Sequence, residues 1–265
     1  MDRAPSEEIT TIRSVTDYVK YVETQCPETT GTEFVLFRGQ HQEYEAGLVP
    51  SIARCKPREG LISVGQDCDS LLAVEQEILK QFQKKSLPFL EREPKTALDW
   101  LTVAQHHSVP TRLLDWSCNA LASLWFVVDG DPAKGADGEL ADGVIYIFRT
   151  RASDFKEPSD MKGNDLFDYK KIFIYEPPSI TRRVFAQYGY FTVHPFLRRK
   201  SCYVALDQDH DCKKRLSKLV ICPSRFEHIR TALDRLGINR FSIYQSLDEL
   251  GDHLKWYYVP PSQRR

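Results

Sequence analysis

Apolar residues recur along this chain with two different spacings, and the spacing changes near the middle. In the first half they fall three and four apart. Val15, Tyr18, Val19 and Val22 share one helical face, and Ser14 with Asp17 has capping-box spacing, so a short helix is predicted to open at Ser14. Leu71, Leu72, Ile78, Leu79 and Phe82 predict an amphipathic helix over roughly 70–84. Leu98, Leu101 and Ala104 predict another over about 97–107, capped by Thr96 with Asp99 and ended by Pro110. Ala120 to Val128 is apolar almost all round, as a buried helix is. Before these, Phe34 to Phe37 reads as a buried strand running straight into Arg38-Gly39-Gln40.

The second half is richer in strand-like runs: 144–148, 172–175, 190–194, 202–206 and 219–222. A helix then follows Ser224, with Glu227 at the box position, the face Phe226, Ile229, Leu233 and Leu236, and Gly237 as its stop. A last helix is expected over roughly 246–255. Residues 55–69 and 129–142 read as loops. Helices and strands mix without regular βαβ alternation. The expected fold is α+β, a single domain with a mixed or antiparallel sheet flanked by helices. Residues 1–13 are expected to be a flexible N-terminus, 14–258 the domain, and 259–265 a flexible tail.

Composition narrows the classes. Hydrophobic residues make up 42% and charged residues 28%, the balance of a globular domain that can bury a core without staples. The net charge of -1 supplies no global attraction to nucleic acid or an anionic membrane. The clusters Arg198-Arg199-Lys200 and Lys213-Lys214-Arg215 read as solvated faces. The 7 cysteines form no CxxC pair, which fits reduced thiols rather than a disulfide framework. Met1 to Ile12 contains no apolar signal core, and no run approaches the roughly 18 apolar residues of a membrane helix. The expectation is a cytoplasmic chain with no membrane partner.

Three segments carry candidate chemistry. In Phe37-Arg38-Gly39-Gln40, an arginine at a strand end can hold a phosphate or carboxylate through paired hydrogen bonds, and Gly39 permits close approach. The run from Gln105 to Ser117 gathers His106, Thr111, Arg112, Asp115 and Trp116 at an expected helix–loop–helix junction. There His106 can serve as acid or base. Asp115 and Ser117 can alternatively cap the next helix, and Arg112 can pair with Asp115. Two adjacent histidines without HExxH point in different directions and give no metal site. Gln187 stands among apolar residues where the chain enters a strand, and its amide needs either backbone or ligand partners. No GxSxG, Walker-type or GxGxxG motif occurs.

These segments, with Val49 to Arg54, Pro110-Thr111-Arg112-Leu113-Leu114-Asp115-Trp116, Ala186 to His194 and Leu233 to Leu250, resemble the FRG domain family, named for its F/Y-R-G motif. The likeness spans roughly 34–250. After Gln105-His106 the family usually has an aromatic residue and then a glycine, whereas this chain has His107 and Ser108. The pattern also resembles that of ADP-ribosyltransferases, which implies a split sheet and NAD as substrate. By that resemblance Arg38 would hold the pyrophosphate or ribose, and Thr111 with Asp115 would line the nicotinamide side. Gln187 would take the third position, commonly a glutamate, where a glutamine cannot act as a base. Gly39, Gln105, Arg112 and Trp116 would complete the cofactor contacts.

The resemblance implies an NAD-dependent ADP-ribosyltransferase or NAD glycohydrolase. Such a protein would suit a bacterial toxin or phage-defence effector with a protein or nucleic-acid acceptor. Two other readings stand beside it. One is a non-catalytic nucleotide or nucleic-acid binding module using Arg38, Arg54, Arg112, Arg182 and Arg183. The other is a polar network that only joins helix to sheet.

Overall fold

The structure is a computed structural model that describes residues 10–26, 33–57, 71–90, 92–135, 138–160, 166–178 and 189–260. In chain order the elements of the first half are β1 (Thr10–Ile12), α1 (Val15–Gln25), β2 (Glu33–Gln40), α2 (Leu71–Ser86), α3 (Ala97–His106), β3 (Leu113–Ser117) and α4 (Ala120–Val128). Then come β4 (Gly143–Arg151), β5 (Phe173–Tyr175), β6 (Gly189–Val193), β7 (Phe196–Leu197), β8 (Cys202–Tyr203), α5 (His210–Lys213) and β9 (Leu216–Ile221). The chain closes with α6 (Phe226–Arg235), α7 (Arg240–Tyr244) and α8 (Leu247–Tyr258).

Seven strands form one mixed sheet in the order β1-β9-β4-β2-β3-β6-β5, with β7 and β8 as a separate ribbon. Every pairing in the large sheet is antiparallel except that of β1 with β9. The fold is α+β, as expected. The segment 10–12, expected to be flexible, is instead a strand: Ile12 is buried and pairs with Ile221. The join between β2 and β3 is short. A single pair, Phe37 with Ser117, links the two strands, whereas β2 and β4 run together for eight pairs.

Strand side chains alternate between faces, and the burial follows that period. Phe37, Ile145, Ile147, Leu219 and Ile221 turn to α1, α4 and α6, completing a core with Tyr18, Leu124, Val127, Phe226, Ile229 and Leu233. On the other half of the sheet, Leu113, Phe173, Tyr175, Phe191 and Val193 pack on Leu79 of α2 and Leu98, Leu101 and Ala104 of α3. Directly paired residues share a face, so the Phe37–Ser117 pair places both helical cores on the same side. The reverse face carries Leu36, Leu114, Trp116, Val144, Phe148 and Ile174 under Leu48, Leu206 and Cys212.

The caps explain several boundaries. Ser14 accepts from the Asp17 amide at 3.1 Å, and Thr96 and Asp99 form a full capping box. Helix α3 ends before Pro110. The Val109 amide returns to Ala104 O and the Ser108 amide to Gln105 O, with Ser108 left-handed at φ 60°, a Schellman ending. Helix α6 starts after Ser224, which lies in a 3-10 turn with Arg225 as the cap. The strand expected over 202–206 is reduced to two residues, and α7 was not anticipated. Among the described residues no helix is long and apolar enough to cross a membrane.

Candidate functional site

The F-R-G motif lies inside β2 rather than beyond its end, and its three residues have three different tasks. Phe37 belongs to the core under α4. Gly39 turns to the same face, where α4 is so close that a Cβ on it would sit 1.8 Å from Ser123 O. Its close approach is therefore to a helix, not to the cofactor assigned to it from sequence. Arg38 alternates to the opposite face and pairs in register with Tyr146 of β4.

The guanidinium of Arg38 fills the opening where β2 and β3 part. Nη1 donates to Asp115 O at 2.8 Å and stands 3.7 Å from Asp115 Oδ2. The Gln40 amide oxygen, turned toward the guanidinium, accepts from Nη2 at 3.2 Å and Nε at 3.0 Å. The Arg38 side chain keeps 15% exposure and that of Asp115 56%, so the pair forms an accessible mouth over a buried base. Burial pulls the Arg38 pKa below its ordinary value, and Asp115 opposes that shift. Arg54 adds to the lowering, while Tyr44 and Tyr146 counter it, and Tyr146 stands beside Arg38 in register. Arg54 lies over the Tyr44 ring, 4.9 Å from its centroid.

Asp115 is held from the α3 side. Gln105 Nε2 donates to its Oδ2 at 2.9 Å, and Gln105 Oε1 accepts from Thr111 Oγ1 at 2.7 Å. The Thr111 hydroxyl in turn accepts from the Leu113 amide, and Ser51 clasps both backbone groups of Thr111. Because Thr111 donates to the amide oxygen, the nitrogen of Gln105 must face Asp115. Arg38, Gln40, Gln105, Thr111 and Asp115 are thus one contiguous network. Thr111 is 1% exposed, so within it Thr111 positions its neighbours rather than facing a ligand.

The expected helix–loop–helix junction is a helix–turn–strand junction. Leu113–Ser117 is a strand buried on both faces, with only Asp115 exposed, and Asn119 rather than Asp115 or Ser117 caps α4. Burial takes two of the expected contact residues out of the accessible mouth. Arg112 faces inward and is 0% exposed. It makes a forked ion pair with Glu75 of α2, with Nη2 at 2.5 Å, Nε at 3.0 Å from the same oxygen, and the Arg112 amide on the other oxygen. Tyr203 donates to Glu75 at 2.7 Å, and the Phe167 ring lies 4.6 Å from the guanidinium carbon. Burial alone would lower the Arg112 pKa, but Glu75 outweighs it and raises the value. Arg112 therefore welds α2 to the start of β3, with its sealed guanidinium paired to Glu75 rather than to Asp115. Trp116 is 3% exposed, with its indole donating to Thr192 Oγ1, and is likewise part of the core.

His106 ends α3 next to Gln105, half-buried, with its ring edge-on to His107 at 5.0 Å. Gln187, Arg182 and Arg183 lie outside the described residues. Sequence reasoning gave Gln40 no role of its own and missed Tyr146 beside Arg38, because register across β2 and β4 is a long-range property. It also missed Glu75, although an acid set in the apolar run Leu71-Leu72-Ala73-Val74 is a visible signal of a buried ion pair.

No curated protein and no solved structure matches the chain. The family model of the FRG domain matches residues 33–135, a stretch that opens with β2, runs past α4 and holds Arg38, Gln105, Thr111 and Asp115. The chain carries an FRG domain.

Proposed function

We propose that the Arg38–Asp115 mouth binds NAD and that the protein is an ADP-ribosyltransferase or NAD glycohydrolase. The observation that carries this reading is the pairing of a partly exposed guanidinium with an exposed carboxylate at the sheet opening, both oriented by the network behind them. A forked guanidinium suits the pyrophosphate of a dinucleotide. Cleavage breaks the bond between the ribose C1 and the nicotinamide nitrogen, whose electron pair leaves with neutral nicotinamide. Positive charge then develops on the ribose. A fixed carboxylate such as Asp115 stabilises that charge without taking a proton. Water or an acceptor nucleophile attacks the same carbon and loses its proton to solvent. The roles of Thr111 and Gln105 are to hold Asp115, and Arg112 has none at the ligand.

The experiment is nicotinamide release from NAD by the purified protein, with and without cell extract. Arg38→Ala is expected to lower release by about a hundredfold, the scale of losing one electrostatic contact to a transition state, while its circular dichroism spectrum stays native. Asp115→Asn is expected to lower release while NAD binding persists. Release by Arg38→Ala at the native rate would refute this reading.

A second reading rests on Arg54, whose positive charge adds to the lowering of the Arg38 pKa, since two guanidiniums favour phosphate binding with or without turnover. NAD binding without nicotinamide release under either condition would select it.

A further inference from the structure

A cavity away from Arg38 lies where the end of α4 meets α6, α7 and α8. Its volume is about 220 Å³, and its walls include Trp125, Asp129, Arg230, Arg240, His253 and Trp256. Three polar atoms of these walls find no hydrogen-bond partner among the described residues: Trp125 Nε1, Arg230 Nε and His253 Nδ1. Trp125 is 2% exposed and Arg230 9%. Buried polar groups are nearly always paired, and an orphan of this kind calls for a missing partner. An indole N–H and a guanidinium N–H can only donate, so the missing partner is an acceptor.

The charges around the cavity say what kind of acceptor. Arg240 donates to Asp129, reaches Glu249 and stands 3.5 Å from Asp252. Arg230 donates to Glu227 and to Gly130 O. Lys255 adds a third fixed cation to the walls, but the carboxylates Asp129, Glu227, Glu249 and Asp252 still outnumber Arg230, Arg240 and Lys255, so a bound anion would meet net repulsion. The apolar surface is aromatic and flat. The His253 ring stacks on Trp256 at 29° and 6.0 Å, and Arg230 lies 5.6 Å from the same indole. The occupant must therefore accept hydrogen bonds, carry no negative charge and offer a planar face.

We infer that this cavity is a binding site for a small, uncharged, planar ring bearing an amide carbonyl. The carbonyl oxygen would take the donors of Trp125 and Arg230, and the ring would lie against the indole and imidazole. Helix α8 supplies one wall and contains no buried residue, so this wall can yield as the ligand enters.

The test follows the four indole N–H resonances during titration with benzamide and uracil, with acetate as the anionic arm. The Trp125 resonance is expected to shift saturably with the amide rings and to stay still with acetate. Trp256→Ala, which removes a wall but no core residue, is expected to weaken binding about tenfold. A Trp125 resonance unmoved by either ring would overturn the inference, leaving water as the acceptor. A shift with acetate alone would overturn the chemical class, and unchanged affinity in Trp256→Ala would overturn the location.

Discussion

His194 has no solvent contact and is satisfied on both sides, with Nε2 at 2.9 Å from Thr192 Oγ1 and Nδ1 at 2.7 Å from Val204 O. Burial pushes its pKa down to about 4 from 6.5; the bond to Val204 opposes this, and nearby Arg38 and Arg112 add to the lowering. Between those two values the unfolded chain binds a proton that the native chain refuses. This stabilising contribution is complete above pH 6.5 and is lost as pH falls toward 4, by up to about 1.36 kcal/mol per pH unit. Urea denaturation across that window should show the decline, and His194→Gln should flatten it. Ser108 is a second residue with a measurable cost. It occupies a left-handed position that glycine fills without strain, and Ser108→Gly is expected to raise stability by about 0.5–1 kcal/mol in the same assay. The departure from the family's glycine was visible in the sequence. Its meaning needed the Schellman bonds of Val109 and Ser108. The fate of Arg112 was not legible, because its partner Glu75 is 37 positions away and the same seven-residue run holds both a sealed arginine and an exposed aspartate.

At the scale of elements, β2 and α4 define each other. Ala122, Leu124, Val127 and Val128 pack on the sheet, and only a glycine at 39 lets the helix backbone come this near. Gly39→Ala is expected to destabilise the fold by about 3 kcal/mol or more through overpacking, read as a fall in melting temperature. An activity loss in that variant would therefore report on the scaffold, not on ligand contact. The helices themselves were legible because their signals are local: apolar faces at helical spacing and caps at Ser14 and Thr96. The strand β3 was not, since Leu113-Leu114-Asp115-Trp116-Ser117 has no period of two and becomes a strand by pairing with β6 along its whole length. The strand β1 was hidden for the same reason, its partner β9 lying some 200 residues on.

For the whole molecule, the telling feature is the join between β2 and β3. Strands β1, β9, β4 and β2 share one helical core, strands β3, β6 and β5 share another, and Phe37–Ser117 is the one backbone pair between them. With so short a backbone seam, the halves are otherwise tied through the reverse-face cluster of Leu36, Phe148, Trp116 and Ile174, and they are expected to act as separate cooperative units. Each can open at its own free energy, as contiguous blocks of a protein do. Amide hydrogen exchange should accordingly resolve two protection classes, one for β2, β4 and β9 and one for β3 and β6. A single class would show that the halves open together. Arg38 spans this seam, its stem in one unit and its hydrogen bond to Asp115 in the other. A ligand gripping both residues would act as a rivet. Its binding energy would appear as raised protection in two blocks at once, a cooperativity that the bare seam does not supply.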